Sequence, residues 1–142
     1  MENAKIIGTW NLISASSSTP KGERIGAPYG ANPVGLLTYT QNGRVAVTIS
    51  YDGRKPLSLS SSIEDQAEAY KTFVGYAGRY VLGEGRITHF IEVSSIQSYV
   101  NKELVRFIAL DGDRINLVTP PTLVNGKIQT IQLCWEHLVT KS

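Results

Sequence analysis

Chemistry in this sequence is carried by separate polar side chains, with no single motif to organise them. The candidates are His89, Glu92, Arg106 and the tyrosines Tyr39, Tyr51, Tyr76 and Tyr80. Histidine titrates near neutrality, so His89 is the natural general acid or base. Tyr80 or Tyr76 beside it can donate a proton or a hydrogen bond. Arg106 lies in the run Leu104-Val105-Arg106-Phe107-Ile108, where a charge is costly unless it meets a partner. There it can stabilise an enolate or carboxylate. The expected catalytic group is His89, Tyr80 and Arg106. The expected ligand contacts are Trp10, Ser14, Tyr29, Tyr39, Tyr51, Tyr70, Tyr76 and Phe107. Plainer roles stand beside these. Strand tyrosines are commonly half-buried with the hydroxyl on water or backbone. A lone strand histidine is more often packing than a catalyst, Glu92 more often faces solvent, and Trp10 suits the core at one end of a barrel.

Other chemistries find no support. The two histidines, His89 and His137, are 48 positions apart, and no His-x-His or His-x-x-x-His spacing occurs. A site from His89, His137 and Glu92 would need the fold to assemble it, and no metal is expected. Gly83-Glu84-Gly85 precedes no helix and no Gly-Lys-Ser/Thr follows, so it reads as a hairpin turn. No Gly-x-Ser-x-Gly or Cys-His signature marks a nucleophile. Cys134, the one cysteine, lies in an apolar run and reads as a buried, inert thiol. No cofactor is expected.

The elements that must position these residues are short and alternating. The chain has 142 residues, with 42% apolar and 18% charged, which suits one compact domain spanning 1–142 and excludes a disordered tail. A net charge of +2, with scattered Lys and Arg, leaves no basic stripe for nucleic acid. No run is long and apolar enough for a transmembrane helix. The N-terminal residues lack the h-region of a signal peptide, so a soluble, cytoplasmic protein is expected.

Residues 8–17 open with Trp10, Leu12, Ser14 and Ser16 on one face. Residues 35–40 and 44–51 flank Gln41-Asn42-Gly43, a strong hairpin signal. Residues 75–82 and 87–94 flank Gly83-Glu84-Gly85, and residues 103–110 and 114–119 flank Asp111-Gly112-Asp113. Residues 129–139 close the chain. That makes eight strands. Between the third and fourth, Ser61 and Glu64 have capping-box spacing. Ile63, Ala67, Tyr70 and Val74 then recur at helical spacing, which predicts one helix of about three turns. Eight antiparallel strands close most simply into a barrel, with a two-sheet sandwich as rival. A barrel of that size holds packed side chains or one small ligand. His89 is expected inward with Ile91 and Val93, the alternative register putting Thr88, Phe90 and Glu92 inward instead; if Arg106 also points inward, with Leu104 and Ile108, it lies near His89. The helix and the loop 18–33 are expected at the mouth.

The opening Gly8-Thr9-Trp10 resembles the Gly-x-Trp strand of lipocalins. Further matches follow in order: Pro28-Tyr29-Gly30 with Asn32-Pro33, Gly35 to Thr40 with Gly43-Arg44, and Tyr76-Ala77-Gly78-Arg79-Tyr80. His89 with Glu92, Arg106, Gly112-Asp113-Arg114, Thr119-Pro120-Pro121 and Trp135-Glu136 complete the set. Together they resemble the bacterial and fungal lipocalin-like domain family across nearly the whole chain. The resemblance implies an all-β, eight-stranded antiparallel up-and-down barrel, lipocalin-like, with one short helix capping a mouth. One departure is His137, where the family often has an arginine lying against the N-terminal tryptophan. A neutral imidazole cannot supply the guanidinium stack.

Lipocalin-like barrels include carriers and cofactor-free isomerases and cyclases, and fold does not decide between them. Three functions are therefore expected to compete. The first, and favoured, is a cofactor-free isomerase or cyclase of secondary metabolism acting on a small hydrophobic, polyketide- or terpenoid-like molecule. The second is an intracellular carrier or sequestering protein for such a ligand. The third is a barrel filled by Trp10, Tyr39 and Phe107 that serves as a partner surface, with a homodimer formed along apolar edges between the last and first strands.

Overall fold

The computed structural model describes residues 3–124 and 126–139. Its strands are β1 (Gly8–Ser18), β2 (Arg24–Gly26), β3 (Val34–Tyr39), β4 (Arg44–Ser50), β5 (Phe73–Leu82), β6 (Arg86–Ser94), β7 (Glu103–Asp111), β8 (Arg114–Val118), β9 (Thr122–Val124) and β10 (Lys127–His137). A helix, α1 (Ile63–Lys71), lies between β4 and β5, and a 3₁₀ turn, Gln97–Tyr99, lies between β6 and β7. Eight strands run β1-β3-β4-β5-β6-β7-β8-β10, all pairs antiparallel, and β10 returns to β1. The result is a closed eight-stranded barrel. The short β2 and β9 extend β1 and β10 at one end. Among the described residues no helix is long and apolar enough to cross a membrane.

The three sequence-marked hairpins form where turn chemistry demands. Gly43, Gly85 and Gly112 have φ of +84°, +72° and +60°, a region that glycine enters without steric cost. The β3–β4, β5–β6 and β7–β8 turns all fall at one end of the barrel, with the start of β1 and the end of β10. That end is packed solid by Trp10, Trp135, Tyr39, Leu37, Ile87 and Ile115, each at most 1% exposed. Trp10 donates its indole N–H to the Ile6 carbonyl at 2.9 Å. His137 does pack on Trp10, with ring centroids 4.6 Å apart and planes tilted by 42°. The closure keeps an aromatic contact although the arginine is missing.

Two bulges reset which side chains face inward. In β1, Leu12 pairs with Trp135 and Ser14 with Cys134, so Ile13 is an extra residue. Trp10 and Leu12 stay buried, but the inward set then continues as Ala15 and Ser17, leaving Ser14 exposed. The expectation that Ser14 and Ser16 share the inner face is thus corrected. In β6, Gly78 pairs with Ile91 and Ala77 with Val93, so Glu92 is extra. His89 and Ile91 are buried, but Val93 is 62% exposed, not inward as expected. Cys134 is half-buried rather than buried, between the cavity-lining Leu133 and Trp135.

The helix is shorter and less involved than its pattern suggests. Ser62, not Ser61, is the N-cap: its hydroxyl accepts from the Asp65 N–H at 3.1 Å. Ser61 instead accepts from the Ser58 N–H. Thr72 ends the helix, so Val74 belongs to β5. No residue of α1 is buried, and Ile63 is 82% exposed. The helix stands at the mouth end, held by Arg54, which donates to the Ala69 carbonyl and lies over the Phe73 ring. The apolar stripe enters no core: α1 packs on β5, and none of its side chains is buried.

The edge proposed for a homodimer is not free. β1 and β10 pair from Trp10 opposite His137 to Ser18 opposite Thr130. Gly78 shows how tight the wall is: a Cβ there would run into the backbone carbonyl of Phe90 across the bulge. Gly78→Ala is therefore expected to destabilise the fold by about 1–3 kcal/mol, read by urea unfolding. An unchanged midpoint would show that β6 can give way.

Candidate functional site

The end of the barrel opposite the hairpins is hollow. A cavity of about 540 Å³ lies there, within the range of about 300–1,000 Å³ usual for small-molecule sites. Val47, Leu117, Trp135, Tyr76 and His89 line it deepest, by their register toward the packed end. Ile25 to Tyr29 of the long loop, Tyr51, Ile96, Tyr99 and Gln129 form its rim. The loop therefore lies at the mouth as expected, and α1 contributes no lining residue.

His89 occupies the boundary between packed and hollow halves. It is 1% exposed, and both ring nitrogens are bonded: Nε2 to the Tyr39 hydroxyl and Nδ1 to the Tyr76 hydroxyl, each at 2.7 Å. β5 and β6 place Tyr80 directly opposite His89, and the pleat then brings Tyr76 onto the same inner face. Tyr39 reaches His89 from β3 across the barrel. Burial, aided by the Arg106 charge, pushes the His89 pKa down to about 3. The imidazole is thus neutral at physiological pH. An unperturbed value near 6.5, the premise for an acid–base role, does not hold here.

Arg106 lies on β7 opposite Ile87, one inward position from Leu104, the partner of His89. It lines the cavity half-buried, and its guanidinium donates to the Val105 carbonyl at 2.9 Å. Among the described residues it has no carboxylate partner. The ion pairs present, Arg44–Glu92, Arg79–Glu92 and Arg114–Glu136, are all on the surface. Among the described residues no Asp or Glu lines the cavity. Burial raises the tyrosine pKa values, Tyr29 to about 12 and Tyr39 and Tyr76 also upward, while Arg106 pulls against each rise. The cavity wall is therefore mixed: aliphatic side chains stand beside neutral hydroxyls and one positive charge.

The expected site residues divide. His89, Arg106, Tyr29, Tyr51 and Tyr76 line the cavity. Tyr39 lies behind it and reaches it through His89. Tyr80 does not line it: its hydroxyl donates to the Thr40 carbonyl at 2.9 Å and its ring packs edge-on against Tyr39. Trp10 is plug, not lining. Ser14 faces out because of the β1 bulge, Phe107 is 48% exposed on the outer face of β7, and Tyr70 is 56% exposed on α1. His137 and Glu92 are far from this arrangement, one on Trp10 and the other on Arg44. The sequence reading missed Tyr99, Gln129 and Trp135. Tyr99 sits in a turn with no strand pattern, whereas the β10 alternation could have found the other two.

Comparison with known proteins agrees with the architecture. A family model described as a lipocalin-like domain matches residues 7–138. No curated protein and no solved structure matches the chain.

His89 sets a pH dependence. Its folded pKa lies near 3 and its unfolded value near 6.5, so below 6.5 the unfolded chain binds a proton that the folded chain refuses. Its contribution is complete above about pH 6.5 and lost as pH falls toward 3, at about 1.4 kcal/mol per unit. Urea unfolding is expected to show a stability loss between pH 7 and pH 4 that is smaller in His89→Asn. Equal slopes in the two proteins would mean that His89 is protonated in the folded state.

Proposed function

The chain belongs to the lipocalin-like domain family, and from that premise we propose that its barrel binds one small, mostly apolar molecule with a polar oxygen at one end. The observation that carries this is the cavity of about 540 Å³ on whose wall, among the described residues, Arg106 stands with no carboxylate. The aliphatic part of the wall, Val47, Ile49, Leu117 and Leu133 among it, supplies affinity at roughly 25 cal/mol per Å² of apolar surface removed from water. Arg106 supplies orientation, because a cation in a low-dielectric site attracts an oxygen anion or dipole more strongly than in water.

The proposal extends to catalysis as a cofactor-free isomerase or cyclase of secondary metabolism, in the cytoplasm, on a polyketide- or terpenoid-like substrate. Confinement of a flexible substrate in a reactive shape can remove a large part of a cyclisation barrier. Arg106, with a hydroxyl from Tyr76, would stabilise charge developing on a carbonyl oxygen. His89 acts in this scheme as a neutral partner of Tyr76. Its depressed pKa makes it a poor resting place for a proton.

Carriage is the second reading. It is favoured by the want of a ready base among the described residues: none of those lining the cavity is a carboxylate, and His89 is held neutral.

Native mass spectrometry of the protein purified from its own producing cells tests both. A retained molecule is expected, and Arg106→Met is expected to lower its occupancy about tenfold, the order of one charge-assisted hydrogen bond. Prolonged incubation of that molecule with protein then separates the readings: chemical conversion supports an enzyme, and unchanged ligand supports a carrier. A protein that neither retains a molecule nor takes up apolar probes would overturn the binding proposal.

A further inference from the structure

Proton counting fixes the direction of the Tyr39–His89–Tyr76 chain. A neutral imidazole has one N–H and one lone pair, so one tyrosine donates to His89 and the other accepts from it. The two tyrosines are not equivalent. Tyr39 is 0% exposed, does not line the cavity, and has His89 Nε2 as its hydroxyl's one hydrogen-bond partner among the described residues. Were Nε2 to carry the hydrogen, Tyr39 would accept it and its own hydroxyl hydrogen would be buried with no acceptor, which is costly. If Tyr39 donates to Nε2, no buried donor is left over. Nδ1 then carries the hydrogen and donates to the Tyr76 oxygen. Tyr76 lines the cavity, so its own hydroxyl hydrogen is free to turn toward the contents.

We propose that Tyr39 is a positioning residue that holds His89 in the Nδ1–H tautomer, so that Tyr76 presents a hydrogen-bond donor to the cavity and, with Arg106, selects ligands bearing an electron-rich oxygen: a ketone, enolate or carboxylate. The inference rests on the binding reading above and narrows it. The deep wall thus offers the Tyr76 hydroxyl hydrogen and, beside it, the Arg106 guanidinium, both of which call for an acceptor on the ligand.

The tautomer is read without any ligand by long-range ¹H–¹⁵N NMR of the histidine ring. The expected spectrum has the hydrogen on Nδ1 of His89. In Tyr39→Phe the reason for that form is gone, and both tautomers become populated. A hydrogen on Nε2 in the unaltered protein, or a pure Nδ1–H form in the variant, overturns the role of Tyr39. Selectivity is read with two probes of equal shape, 2-acetylnaphthalene and 2-isopropenylnaphthalene, which differ in a carbonyl oxygen against a methylene. The ketone is expected to bind up to about tenfold more tightly, and Tyr76→Phe is expected to erase most of that preference. Equal binding of the two probes overturns the selectivity while leaving the binding reading intact. Failure of both probes to bind overturns the binding reading and the selectivity with it, and the NMR result then judges the tautomer alone.

Discussion

The backbone ladder between β1 and β10, from Trp10 opposite His137 to Ser18 opposite Thr130, turns a sheet into a vessel. Closing the ladder removes the long edges and creates an interior that the chain must either fill or leave open. This chain does both. Its two tryptophans and Tyr39 lie in the end where the hairpins turn, and the other end stays hollow. The division follows from chain geometry, because tight two- and three-residue turns draw the strands together, whereas the long loops at the opposite end do not.

His89 sits where packing gives way to space. A buried imidazole must satisfy both nitrogens, and two tyrosines from different strands do so. The arrangement holds His89 neutral and links the core to the cavity wall through hydrogen bonds. Arg106 is the complementary element. Its charge is half-buried and unmatched by any carboxylate on the cavity wall, which is tolerable because the cavity is open at the rim. Together they give a hollow of mixed wall whose deep polar groups are directed toward acceptors.

Much of this was legible in the residues. Turn glycines announced the hairpins, and alternation placed His89 inward with Ile91 and Arg106 with Ile108, because a strand's period of two leaves few choices once one face is apolar. The misreadings share a cause. Ser14 and Val93 were assigned by unbroken alternation, and a bulge adds one residue that only the facing strand reveals. Tyr80 and Tyr76 look alike in sequence. One bonds the Thr40 carbonyl near the hairpin end and the other reaches His89, since they lie at different heights in the barrel. The α1 stripe has helical spacing, yet none of its side chains is buried where it meets β5.

Local backbone preference and the two-residue period of a strand were enough to mark the turns, the antiparallel strands and the favoured inward face of His89, while closure stayed in competition with a sandwich. Three-dimensional packing was needed to hold His89 neutral, to make Tyr39 rather than Tyr80 its second partner, and to set Arg106 on the cavity wall with no carboxylate partner among the described residues. Those properties depend on burial and on distances between strands far apart in the chain. Residue 39 and residue 89 meet only because the sheet closes.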